Sequence, residues 1–204
     1  MTRILIADDH KIVRDGLKRI LAGSELDVAG EAASGDEALA LVKANDYDIA
    51  MLDMSMPGLS GIALLKRLKA EKPKLKLLVL SMHGEHQYAA RALKAGASGY
   101  LTKDSAAEQL LGALRKVAAG GVYISDAAAS ALVSSPAASH DSLSDREFEV
   151  LRLLVEGLGP SEIGDKLHLS VKTVSTHKTR IQEKLGVGST AELVRYAIEN
   201  RLVD

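Results

Sequence analysis

Five residues in the first half of the chain are of the types that handle a phosphoryl group: the acidic pair Asp8-Asp9, then Asp53, Ser81 and Lys103. They follow or close short apolar runs, such as Arg3-Ile-Leu-Ile-Ala7 before Asp8 and Ile49-Ala-Met-Leu52 before Asp53. A lone aspartate after such a run is usually a turn or cap residue, so the company Asp53 keeps decides its meaning. Three carboxylates brought close repel one another and rise in pKa unless a cation joins them. Hard oxygen ligands, with no His or Cys counted among them, point to Mg2+ or a similar ion. Beside such an ion Asp53 can serve as a carboxylate nucleophile and form an aspartyl phosphate. Lys103 would pair with phosphoryl oxygens and Ser81 would donate a hydrogen bond to one.

The elements that must bring these residues together show in the hydropathy pattern. Residues 1 to about 119 alternate short apolar runs with segments of helical period. The runs predict strands over 3–7, 27–32, 48–52, 75–81 and 99–102; the periodic segments predict helices over 12–22, 35–44, 60–72, 87–95 and 106–119. Such an alternation, with right-handed crossovers, makes an α/β doubly wound parallel sheet with helices on both faces, and its ligands sit at the carboxyl ends of the strands. All five residues fall at that edge.

At 204 residues, 47% hydrophobic and 26% charged, the chain has the composition of one or two globular domains. A net charge of −1 excludes a generally polybasic protein, so a nucleic-acid surface must be a local patch. The absence of cysteine excludes disulfides and thiolate metal sites. With no run near 18 apolar residues and an N-terminus that opens directly into a strand pattern, the chain reads as soluble, untargeted and cytoplasmic, with no membrane partner.

After residue 119 come Gly120-Gly121, Val122-Tyr-Ile-Ser125, an Ala-rich piece compatible with a short helix, and Ser134-Ser-Pro-Ala-Ala-Ser-His-Asp-Ser142, which together read as a linker over 120–142. From Leu143 the pattern is purely helical. Ser144-Asp-Arg-Glu147 is a capping box opening a helix with a stripe of Phe148, Leu151, Leu154 and Val155, ending at Gly157. Pro160 suits the first turn of a helix to Leu167, and Ser170 caps another from Val171 to Leu185 across the tight Leu167-His-Leu169 connection. That is helix-turn-helix spacing. A last helix, capped by Ser189 with Glu192 as box partner, runs to about Arg201 with Ala191, Val194, Tyr196 and Ala197 apolar.

In the third of these helices Val174, His177, Ile181 and Leu185 recur at i, i+3, i+7 and i+11 and turn inward. The opposite face carries Lys172, Thr173, Ser175, Thr176, Lys178, Thr179 and Arg180, short hydroxyls interleaved with bases that can approach base edges and phosphates. Lys166, Lys172, Lys178, Arg180 and Lys184 against Glu183 make this patch basic within a slightly acidic segment, so charge alone does not assign DNA binding.

The stretches Ala7-Asp-Asp9, Leu52-Asp53-Met-Ser-Met-Pro57-Gly58, Leu80-Ser81 and Gly99-Tyr-Leu-Thr-Lys103 resemble the receiver domain of two-component response regulators. The resemblance implies a flavodoxin-like (CheY-like) five-stranded parallel sheet of order 2-1-3-4-5 and phosphorylation of Asp53 by a cognate histidine kinase. It implies Mg2+ held by Asp9, Asp53 and the backbone carbonyl of Ser55, with Asp8 acting mainly through water. Ser81 would be the hydroxyl that moves toward the phosphoryl group and Tyr100 the aromatic that swings in behind it; Tyr100 could instead be a half-buried strand aromatic. Ser55 and His83, two residues past Asp53 and Ser81, occupy positions that tune phosphoryl loss in receivers, although His83 could equally be an exposed loop residue. In the second half, Leu143-Ser-Asp-Arg-Glu-Phe-Glu-Val-Leu151, Glu162-Ile163, Ser170-Val-Lys-Thr-Val-Ser-Thr-His177 and Lys184-Leu-Gly-Val187 resemble the LuxR-type helix-turn-helix, an all-α four-helix domain. By motif position Ser175, Thr176 and Thr179 would face the major groove, with Lys172, Thr173, Lys178 and Arg180 on the DNA backbone. Gly159-Pro160 departs from the usual polar capping pair, and Gly164 stands where Ala is usual, at a cost of about 1 kcal/mol of helix propensity.

A receiver over 1–119 joined through 120–142 to a helix-turn-helix over 143–204 is the NarL/FixJ architecture. The resemblance implies a transcription regulator, not a turnover enzyme, that is dimeric when active and binds double-stranded DNA on half-sites about ten base pairs apart; RNA polymerase could be a further partner. In that family the unphosphorylated receiver can mask the recognition helix, and the sequence leaves open whether it does so here. Two other readings stay open. One is a Mg2+-dependent phosphohydrolase, against which the compact loops show no cap insertion that would form a substrate pocket. The other is a regulator that works without phosphate.

Overall fold

Residues 1–81, 86–105, 107–124, 142–200 and 202 are described by the computed structural model, the side chains of 86–88 aside. The expected positions of His83 and of a short helix within 125–141 lie outside these residues. The first unit runs β1 (Thr2–Ala7), α1 (Lys11–Leu21), β2 (Leu26–Ala32), α2 (Gly35–Ala44), β3 (Ile49–Asp53), α3 (Gly61–Glu71), β4 (Lys76–Ser81), α4 (His86–Lys94), β5 (Gly99–Thr102) and α5 (Ala107–Ala118). The strands pair in parallel in the order β2-β1-β3-β4-β5.

Every residue of β3 is buried, the mark of a central parallel strand covered on both faces. On one face Ile4, Ile6, Met51 and Leu78 pack with Leu17 and Leu21 of α1 and Leu114 of α5. On the other, Leu5, Leu52 and Val79 pack with Val42 of α2 and Leu65 and Leu68 of α3. The chain leaves β3 through Pro57-Gly58, where Gly58 has φ +80° and a Cβ would lie 2.1 Å from an Asp36 carboxylate oxygen. That same oxygen accepts from the Leu59 N–H at 3.2 Å, so only glycine lets the loop close on α2 at this point. Beyond α5, Tyr123 bridges Gly99, with Tyr100 N donating to Tyr123 O and Tyr123 N to Ser98 O, both at 3.0 Å, so the chain leaves this unit along β5.

The second unit comprises α6 (Asp145–Val155), α7 (Pro160–Leu167), α8 (Val171–Leu185) and α9 (Thr190–Glu199). Its caps follow the sequence. Ser144 and Glu147 form the reciprocal box on α6, Ser170 accepts from Thr173 N on α8, and Ser189 accepts from Glu192 N on α9. Pro160 opens α7, and Glu162 satisfies the Gly159 N–H at 2.7 Å in place of a side-chain cap. Gly164 has a geometric reason: a Cβ there would stand 2.7 Å from the Leu169 carbonyl oxygen, inside the turn that delivers α8. The last helix departs from the expected stripe. Leu193 and Ala197 are its buried pair, Val194 and Tyr196 are half-buried and Ala191 is exposed, because residues four apart share a face.

The largest departure is α6. The sequence predicted one apolar stripe, yet Glu147 through Leu154 are all buried. One side of α6 packs on α8 and α9; the other meets the first unit at α3. Arg91 of α4 stacks 4.4 Å over the Phe148 ring and donates to Leu143 O at 3.0 Å, while Lys66 of α3 pairs with Asp145. Nearer the carboxyl edge of the sheet, Ser60 donates to Glu149 at 3.4 Å and Arg152 donates to Ser55 at 3.3 Å. The joint therefore uses α6 and leaves α8 open: Lys172, Ser175, Thr176, Thr179 and Arg180 are exposed, and Thr173 and Lys178 are half-buried. In this arrangement the first unit covers the outer face of α6 and not the recognition helix. Among the described residues no helix is long and apolar enough to cross a membrane.

Candidate functional site

The carboxyl ends of β1, β3, β4 and β5 bring Asp8, Asp53, Ser81 and Lys103 together. Asp8 and Asp53 are only 1% and 2% exposed. Lys103 stands between them, with Nζ 2.6 Å from Asp8 Oδ2 and 2.8 Å from Asp53 Oδ2. The Lys103 N–H donates to Ser81 O at 2.7 Å, which fixes the β5 loop against β4. Ser55 holds the other oxygen of the acceptor, its backbone N–H donating to Asp53 Oδ1 at 3.1 Å. Ser81 and Tyr100 are both buried, so Tyr100 is not the half-buried strand aromatic that was the alternative.

Burial pushes the Asp53 carboxyl above its ordinary value; Lys103 counters this only in part and the neighbouring Asp8 adds to it. Burial alone would lower Lys103, but its bonds to Asp53 and Asp8 outweigh that and hold it above its ordinary value, so it stays a cation. One lysine thus faces two buried carboxylates, with Asp9 at the rim. Donor atoms of Asp8, Asp9, His10 and Asp53 lie within 4.8 Å of one another. Three carboxylates against one ammonium leave negative charge for a divalent ion, and their oxygens suit a hard one. His10 amends the expectation of a set without histidine: its Nδ1 is 2.9 Å from Asp9 and 3.4 Å from Asp8. It precedes α1 directly, and its adjacency to Asp8-Asp9 was the signal.

A cavity of about 490 Å³ opens over this cluster. Asp9, Asp53, Ser55 and Lys103 line it from the first unit, and Arg152, Glu156 and Lys166 from the second. Sequence reasoning missed these last three. Arg152 and Glu156 lie outside the apolar stripe of α6 and were not singled out, and Lys166 was counted in the DNA patch. Lys184, counted there too, instead binds Glu147 at 2.6 Å and Ser142 O at 3.1 Å. The basic groups that remain on the open face of α8 are Lys172, Lys178 and Arg180.

On that face the hydroxyls bond back to their own helix: Ser175 Oγ to Val171 O and Thr176 Oγ1 to Lys172 O at 2.9 Å, and Thr179 Oγ1 to Ser175 O at 3.2 Å. Each hydroxyl proton is thereby occupied, and the oxygens retain lone pairs able to accept from an adenine or cytosine amino group in a major groove. Val174, Ile181 and Leu185 are buried beneath. His177 is half-buried, and burial, with Arg146 and Arg180 nearby, holds it below the usual value of 6.5 despite the pull of Glu147.

Comparison with known proteins agrees with both halves. Residues 4–115 match the response regulator receiver domain, and residues 141–197 match the luxR family of bacterial regulatory proteins. The chain is 39% identical to the oxygen regulatory protein NreC of Staphylococcus haemolyticus, over 99% of each chain. It is 37% identical to the response regulator GacA of Pseudomonas aeruginosa, over 100% of this chain and 99% of that one. Among solved structures, RcsB of Salmonella enterica serovar Typhimurium, bound to the rprA promoter in the presence of the phosphomimetic BeF3−, aligns with a TM-score of 0.70 and 30% identity over 96% of this chain and 97% of that one. With a parallel 2-1-3-4-5 sheet, an acidic pocket at its carboxyl edge and an open recognition helix in one polypeptide, the chain belongs to the response regulators that join a receiver domain to a LuxR-type helix-turn-helix and regulate transcription by binding DNA.

Proposed function

We propose that the chain is switched by phosphorylation of Asp53, with a partner histidine kinase as donor, and that the phosphorylated form binds DNA as a dimer. The observation that supports this is the buried Lys103 bridging Asp8 and Asp53 against a cavity, in the same polypeptide as a helix-turn-helix. Asp9, Asp53 and the Ser55 carbonyl would hold Mg2+, with Asp8 acting through water. The ion, when bound, would neutralise charge on the carboxylates and on an incoming phosphoryl group. Asp53 supplies the carboxylate oxygen that attacks phosphorus. Lys103, fixed as a cation, meets phosphoryl oxygens once Asp53 is esterified, and Ser81 donates to another. Displacement of Ser81 and Tyr100 would bias a preexisting equilibrium between two receiver states.

In this reading residues 1–119 are the receiver, 120–142 the linker and 143–204 the DNA-binding domain. Ser175, Thr176 and Thr179 read bases, while Lys172, Thr173, Lys178 and Arg180 hold the backbone. The protein works in the cytoplasm, where DNA and RNA polymerase are. Incubation with acetyl phosphate and Mg2+ tests the core of this proposal. Stoichiometric labelling that is lost in Asp53→Asn, together with tighter binding to a selected duplex, is the expected result. Sustained release of phosphate from small esters would show a phosphohydrolase, and equal promoter binding by wild type and Asp53→Ala would show a regulator indifferent to phosphate.

A further inference from the structure

Arg152 is a charged residue outside the apolar stripe that the sequence gives α6, yet its side chain is only 9% exposed. It reaches out of the DNA-binding domain to the acceptor of the receiver. Its Nη2 donates to Ser55 Oγ at 3.3 Å, and the Ser55 N–H donates to Asp53 Oδ1 at 3.1 Å, so two hydrogen bonds in series join α6 to the phosphorylation site. Glu156, one turn on, lies 3.6 Å from Arg152 Nη1 and orients the guanidinium. We infer that Arg152 restrains phosphoryl transfer onto Asp53: from the second domain, through Ser55, it holds the β3–α3 loop in an arrangement that must loosen before Asp53 accepts a phosphoryl group.

The chemistry makes that opening necessary. In transfer from an acyl phosphate, phosphorus forms a bond to a carboxylate oxygen of Asp53 while its bond to the acyl oxygen breaks. The acyl carboxylate leaves, and no proton or electron is consumed. The donor needs an in-line approach through the cavity walled by Arg152 and Glu156, and the Asp53 oxygen must be free to turn toward phosphorus. If acceptance runs through the open fraction, its rate scales with that fraction. Loss of one charge-assisted hydrogen bond should raise a minor open fraction about tenfold, the equivalent of about 1.4 kcal/mol. By reciprocity, phosphorylation must weaken the docking of α6 by the same factor.

This inference rests on Asp53 as acceptor, and the test separates the two. Full-length wild type, Arg152→Ala, Lys66→Glu and Asp53→Asn are labelled with acetyl phosphate and Mg2+, and phosphoryl gain is followed by phosphate-affinity gel. Lys66→Glu sets like charges against Asp145 at the far end of α6, about 10 Å from Arg152 along the helix, and so loosens the joint without touching the acceptor loop. The expected result is no labelling of Asp53→Asn, about tenfold faster gain in Arg152→Ala, and a smaller rise in Lys66→Glu. A merely structural Arg152 would lower the unfolding midpoint and leave the labelling rate unchanged, which overturns the proposal, as does slower gain in Arg152→Ala or an unchanged rate in Lys66→Glu. Asp53-dependent labelling at one common rate sinks only the role of Arg152. Labelling that survives Asp53→Asn, or none in any chain, sinks the acceptor reading and this one together.

Discussion

Lys103→Ala should make the protein less stable without a divalent ion and more responsive to one. In the wild type a single ammonium lies 2.6 Å from Asp8 and 2.8 Å from Asp53, both carboxylates almost fully buried. Breaking a buried ion pair by removing one partner costs about 3–5 kcal/mol, because an uncompensated charge is left behind. The same ammonium would repel a divalent ion if one is held by Asp9 and Asp53. At roughly 5 Å and an effective dielectric near 20, that repulsion amounts to about 6–7 kcal/mol gross. Solvent and relaxation remove most of it, and a residue of about 1–3 kcal/mol corresponds to about ten- to hundredfold tighter binding of Mg2+. Thermal unfolding across a Mg2+ series reads both effects, since a ligand of the folded state raises stability as RT ln(1 + [L]/Kd). The variant should start below wild type and close much of the gap as Mg2+ rises, while losing acetyl phosphate labelling. A Mg2+ response equal to or weaker than that of wild type would refute the placement of the ion beside Lys103.

Three further outcomes follow from the second domain. Gly164→Ala gains about 1 kcal/mol of helix propensity, but its Cβ meets the Leu169 carbonyl at 2.7 Å; overpacking costs of about 1–3 kcal/mol should leave it less stable in urea and weaker on DNA, and a higher urea midpoint would contradict this. Burial alone would push Glu147 up, but its bonds to Lys184 and Ser144 outweigh that and hold it below 4.5. A depressed carboxylate contributes stability that is complete above its unfolded pKa and is lost as pH falls through the folded one, so the wild type should lose stability below about pH 4.5 while Glu147→Gln, weaker at neutrality, shows a flatter acid limb in unfolding midpoints. Lys178→Ala should weaken DNA binding uniformly and reduce the slope of log K against log salt by about one, whereas Thr176→Val should cost about 1–3 kcal/mol on the selected site only; mobility-shift titrations at several salt concentrations separate the two.

What could be read from the sequence was whatever local periodicity and punctuation encode. Each receiver strand is a short apolar run, so the five strands and their polar ends could be placed to within a residue or two before any contact was known. The helix caps at Ser144, Ser170 and Ser189 were legible for the same reason, since a cap is a contact three residues long. Contacts between surfaces distant in sequence were not legible. Arg152 and Glu149 are charged residues outside the apolar stripe of α6, and their burial is imposed by α3 and the β3–α3 loop, about ninety residues earlier. Lys184 and Lys166 counted as DNA cations for the same reason: periodicity gives the face of a helix and not which neighbour covers it. His10 is the intermediate case, missed although it adjoins Asp9, because the chemistry of the pocket was argued from oxygen donors alone.

The joint constrains how the receiver can control the output. It occupies the outer side of α6, while the reading face of α8 is open and Ile198 of α9 is 61% exposed. In this arrangement the receiver does not cover the recognition helix. What a single chain lacks is a second helix-turn-helix: one recognition helix reads one half-site, and joining two converts the second contact into an intramolecular event at about millimolar effective concentration, worth on the order of 10²-fold or more in avidity. Phosphorylation should therefore act on DNA by promoting the pairing of two chains. Two copies of Asp53→Ala joined by a flexible Gly/Ser linker test this directly. Half-sites one helical turn apart are separated by about 35 Å, which a linker of about 40 residues spans at its root-mean-square length. The tethered pair should bind a two-half-site duplex about 10²-fold more tightly than the single chain without any phosphodonor, and the gain should vanish when the half-sites are moved out of phase by half a turn. If the tethered pair binds no better than the single chain while phosphorylated wild type binds tightly, phosphorylation must change the DNA-binding domain itself, and the open face of α8 would not be the competent one.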